Sequence, residues 1–166
     1  HQPVAQWQER ALSETDPRAA LEALLALVRT QPRSYRPSGP DLDTPPPVYP
    51  ATDAVRNPLQ PKVLAALERL DWAALSYEQK IDWLRVLGLT LYRLGAPDEA
   101  TRTKLIERLD AIYPAKGREL NAQLTELMCY LQAPSAAEKG VALLASGRTQ
   151  EEQIDLAKSL RFLTAG

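Results

Sequence analysis

Few residues of this chain are equipped for chemistry. The one histidine is His1 and the one cysteine is Cys129. A Ser–His or Cys–His nucleophile would have to take its base from the first residue, and none is expected. Cys129 follows Met128 in a leucine-rich stretch, with no neighbour arranged to form a thiolate, which points to a buried, inert thiol. Zinc would need Cys and His ligands that the chain does not carry. Asp41 and Asp43 make the one short acid cluster in a loop, and calcium would need more oxygen ligands than that pair offers. Asp82 with Arg85, and Asp155 with Lys158, have the i, i+3 spacing of ion pairs on exposed helix faces. Asp71 and Asp110 fall at helix ends, where they are expected to bond the backbone of the following turn. There is no glycine-rich phosphate loop. No catalytic residue, cofactor or metal is expected.

What such residues leave is an architecture. With 45% hydrophobic and 25% charged residues over 166 positions, the chain has the balance of one globular domain with a real core. A net charge of −1 argues against a nucleic-acid footprint, which needs clustered Lys and Arg. No apolar run approaches the roughly 20 residues that span a bilayer. His1-Gln2-Pro3 does not open a signal peptide. The lone cysteine excludes an internal disulfide and leaves the compartment open. The missing initiator Met suggests a piece excised from a longer protein.

The chain is organised around Ser76–Gly95, SYEQKIDWLRVLGLTLYRLG. Ser76 and Gln79 have the spacing of a capping box, and Gly95 suits the C′ position. Between them, Ile81, Leu84, Leu87, Leu91 and Leu94 recur at helical spacing, while Trp83, Val86 and Leu89 carry apolar surface around the remaining circumference. A helix apolar on nearly all sides belongs inside a helical stack. Interior Gly88 predicts a close helix approach there. Earlier, residues 4–13 form a short amphipathic helix with Ala5, Trp7 and Leu12 inward, and Asp16-Pro17 starts a second helix running to about Thr30. That helix should bury Leu21, Leu24, Leu25 and Val28. Pro61 reopens helix with Val63, Leu64, Leu67 and Leu70 buried. After Gly95, Pro97-Asp98-Glu99 starts another, with Leu105, Ile106, Leu109, Ile112 and Tyr113 on its face and Pro114 as its stop. Residues 118–132 carry the clearest stripe: Leu120, Leu124, Leu127, Met128 and Leu131. Ser135 can cap a short helix bearing Val141 and Leu144 and ended by Gly147. Thr149 to Glu152 is a capping box for a last helix that buries Ile154, Ala157, Leu160 and Leu163.

Nine of the 14 prolines fall from Pro32 to Pro61, so 31–60 is expected to be a long loop of polyproline character. Such loops are uncommon in compact domains unless functional. One reading is a docking strap anchored by Tyr35, Val48 and Tyr49; the other, which helical stacks readily tolerate, is a surface insertion. Trp72 and Tyr77 are further candidate contact residues, on a groove.

The string ALERLD at 66–71 returns as LIERLD at 105–110, a displacement of 39 residues, and at 40 residues Leu84, Leu87 and Leu91 align with Leu124, Leu127 and Leu131. Two helices per unit at this period match a HEAT-like or armadillo-like array. The expected fold is therefore all-α: a superhelical stack of antiparallel pairs in 4–30, 61–95, 97–132 and 135–166, making one helical-repeat domain.

The segments LNAQLTELMCYLQAPSAAEKGVALL and TQEEQIDLAKSLRFLTAG, with DWLRVLGLTLYRLGAP, resemble the helical-repeat region of large planctomycete-type multi-domain proteins. Those proteins are often haem-binding or dehydrogenase-like and carry a cytochrome c-like module. The resemblance implies an extracytoplasmic location, periplasmic or at the cell surface. It transfers no haem ligand, because the attachment motif C-x-x-C-H is absent and Cys129 is followed by Tyr130-Leu131-Gln132. The function expected is a non-catalytic scaffold or protein-interaction module whose partners are other domains of a parent chain or separate proteins. The alternative is an accessory domain that shapes a substrate or electron-transfer site in a cytochrome c-containing oxidoreductase.

Overall fold

A computed structural model describes residues 3–31, 57–147 and 149–164. Among these the chain forms eight α-helices and no strand: α1 (Val4–Ser13), α2 (Pro17–Thr30), α3 (Leu59–Glu68), α4 (Tyr77–Leu94), α5 (Glu99–Asp110), α6 (Arg118–Tyr130), α7 (Ala136–Ser146) and α8 (Gln150–Leu160). Most of the proline-rich stretch, with Tyr35, Asp41, Asp43, Val48 and Tyr49, lies outside the described residues. The chain divides into two compact units, one holding α1–α4 and the other α5–α8.

In the first unit, local signals set the helix starts. The Asp16 carboxylate accepts from the Ala19 N–H at 2.9 Å, with Pro17 at the first helical position. Ser76 and Gln79 complete a reciprocal capping box. α3 begins two residues before Pro61, because the Asn57 side chain accepts from the Leu59 N–H at 2.9 Å. Gly95 follows α4 at φ 101°, a backbone that favours glycine. α4 packs on both α2 and α3, and α1 packs on α2 and α3. Trp83, Leu84, Val86, Leu87, Leu91 and Leu94 are all buried, so α4 is the spine of this unit. The Trp83 indole donates to the Leu67 carbonyl at 3.0 Å and meets Trp72 edge-on, centroids 5.5 Å apart. Some inward expectations fail. Ala5 is exposed, Trp7, Leu25 and Leu64 are half-buried, and Ala11 and Leu27 are buried in their neighbourhood instead. Gly88 is half-buried.

In the second unit, Asp98 caps α5 by accepting from the Thr101 N–H at 2.8 Å. Leu109 and Tyr113 are buried, with Leu105, Ile106 and Ile112 half-buried. All five residues of the α6 stripe are buried. The chain then leaves α6 through Gln132 at φ 51°. Its N–H bonds the Cys129 carbonyl and that of Ala133 bonds Met128, the bond pattern of a Schellman ending without glycine. α8 packs on α6 and α7. Its orientation departs from expectation: Leu156 is buried, while Ile154 and Ala157 are exposed. The Arg118 guanidinium bridges Glu151 at 3.1 Å and Asp155 at 3.0 Å, which ties that side of α8 to α6. Val141 of α7 is exposed as well. The close helix approach lies at Gly140, where an added Cβ would stand 2.5 Å from Leu160 Cδ2.

The two units share a plan. In each, consecutive helices pair, and the second helices of the pairs, α2 with α4 and α6 with α8, pack together. Leu70, Leu84, Leu87 and Leu91 are buried, and so are Leu109, Leu124, Leu127 and Leu131, which lie 39 or 40 positions on.

Candidate functional site

Several of the described groups that could do chemistry make structural contacts. Cys129 lies in the α6 core, and burial first, then the nearby Glu126 carboxylate, pushes its thiol up to about 11. Such a thiol stays protonated and unreactive near neutral pH. Desolvation also raises the Glu126 carboxyl. Tyr113 shares a 2.8 Å hydrogen bond with Thr125, and its burial raises the phenol. Asp71 behaves as expected, accepting from the Ala73 N–H at 3.0 Å. Asp110 does not: its carboxylate accepts from Lys139 at 2.8 Å and from the Ser135 hydroxyl, and these bonds lower its pKa. The Asp82–Arg85 pair is present at 2.9 Å. Asp155 bonds Arg118, so no separate Asp155–Lys158 pair organises α8.

Other polar side chains close helix ends, where the last carbonyls of a helix have no partner of their own. Arg69 donates to Leu12 at the end of α1, and Gln60 to Gly95 after α4. Arg93 reaches Val28, Arg29 and Gln31 at the end of α2, at 3.2, 2.9 and 2.6 Å. Arg102 does the same for Leu131 and Gln132 after α6. Lys139 donates to Asp110 and Tyr113 after α5. These contacts join residues 26 to 65 positions apart, and local pattern reading had no means of finding them. The side chain of Gln132 donates to the Cys129 and Phe162 carbonyls and accepts from both polar groups of Thr164. It fastens the end of α6 to the turn after α8.

Of the candidate contact residues, Trp72 is half-buried, with its ring against Trp83 and the Lys80 ammonium 5.8 Å from its centroid. Tyr77, in the first turn of α4, is 39% exposed. Tyr35, Val48 and Tyr49 fall outside the described residues.

The outer face of α7 and α8 carries exposed apolar side chains, Ile154 and Ala157 of α8 among them, which sequence reading assigned to the core. Val141 is 56% exposed and Ile154 is 51% exposed, the most solvent-open of the large apolar side chains described. Between the helices runs an open groove of about 490 Å³, lined by Leu144, Gln150, Gln153, Ile154 and Ala157. Among the described residues no charged side chain lines it, and Val141 stands one turn before Leu144 on α7. A face of this composition can exclude water against another apolar surface, with the two glutamines supplying orienting hydrogen bonds.

Among the described residues no group of three or more His, Cys, Asp or Glu could hold a metal, and no helix is long and apolar enough to cross a membrane. Comparison with protein-family models, curated proteins and solved structures finds no match to this chain.

Proposed function

We propose that this chain is a non-catalytic, HEAT-like helical-repeat module that works as a protein-interaction scaffold, with the outer face of α7 and α8 as its contact surface. The observation that carries the reading is the exposure of Val141 on α7 and of Ile154 on α8, with Ile154 lining a groove that has no charged side chain among the described residues. Isolated apolar side chains are ordinary on a surface, but adjacent ones around a groove mark an interaction site. The stacked pairs in each unit and the buried leucines at repeat spacing support the HEAT-like part of the reading. A buried, protonated Cys129 favours a scaffold over a thiol enzyme. The resemblance to extracytoplasmic multi-domain proteins supports a setting beside other modules of a longer chain.

Site-specific photo-crosslinking in the source cells tests this. A crosslinker placed at Val141 or at Ile154 should capture a defined protein species. One placed at Arg18, an exposed position on α2, should not, and Ile154→Asp should abolish capture from Val141. Equal capture at all three positions, or none at Val141 and Ile154, would reject this face as the contact surface.

A further inference from the structure

We draw no further inference here: the strongest candidate, the open groove between α7 and α8 lined by Leu144, Ile154 and Ala157, carries none, because nothing in the structure shows what covers it.

Discussion

Consider Cys129→Ala set beside the parent chain in urea titrations between about pH 7 and about pH 10. Burial disfavours the thiolate and pushes the Cys129 thiol from 9.0 to about 11 in the folded chain. A group whose protonated form is favoured by folding gives its full stability below its unfolded pKa, and loses it as pH climbs through the folded value. A rise from 9 to 11 is worth about 2.7 kcal/mol in the limit, because each unit corresponds to about 1.4 kcal/mol. Near pH 10, about half of that, roughly 1.4 kcal/mol, is already lost. Cys129→Ala removes the titration and leaves a small cavity, whose cost of about 1 kcal/mol does not vary with pH. The parent's advantage at neutral pH should therefore shrink by about 1.4 kcal/mol and vanish near pH 10. Tyr113, whose phenol is also raised by burial, titrates in both chains and largely cancels in the difference. A difference that stays constant to pH 10 would refute the reasoning. So would native Cys129 reacting with a disulfide reagent as fast as an exposed thiol, because the thiol would then be open to chemistry.

Leu87 is fully buried on α4, and Leu87→Ala should cost about 2–5 kcal/mol in chemical denaturation; a loss below about 0.5 kcal/mol would mark the helix as peripheral. Gln132→Ala should cost about 1–3 kcal/mol, because it strips partners from the ends of α6 and α8. Gln132→Gly should be the milder variant, since glycine relieves φ 51°; equal losses would show that the backbone there is unstrained. Arg93→Met leaves three carbonyls at the end of α2 without this donor and should lower stability by about 1.5–3 kcal/mol, with the fastest amide exchange gained in the last turn of α2. Asp110, its pKa lowered by Lys139 and Ser135, stabilises the fold above the ordinary carboxylate range and loses that contribution as pH falls toward its own lowered value. An acid-denaturation curve for Asp110→Asn that keeps the parent's full slope would show that the bond contributes nothing.

Helix beginnings were legible because their chemistry is local. Asp16, Ser76, Asp98 and Thr149 each accept from an N–H three residues ahead, a spacing visible in any sequence. Helix endings were less so, because Arg69, Arg93, Arg102 and Lys139 reach them from other helices. Gln132 shows the same limit at one residue, ending α6 where a reader looks for glycine. The face of α8 was misread because apolar residues lie on two sides of it, Ile154 and Ala157 on one and Leu156 on another. Packing on α6 and α7 decides which side turns inward, and that contact is not written in the local pattern. That error bears on function, since an apolar side chain meant for a partner has the same letter as one meant for the core. Ile154 accordingly read as interior. Trp72 was named as a contact residue, and the structure places its ring against Trp83.

The tryptophan corner has an optical consequence. Trp7, Trp72 and Trp83 all belong to the first unit, and the second has none. Indole emission therefore follows only the unit built on α4, and the edge-on Trp72–Trp83 pair should add a near-ultraviolet dichroic band that disappears when those rings separate. Far-ultraviolet ellipticity sums the helices of both units. If the two signals melt together, the chain unfolds in one cooperative step. If they part, the difference between the curves isolates α5–α8 without a label, so any partner's stabilising effect can be assigned to one half of the molecule.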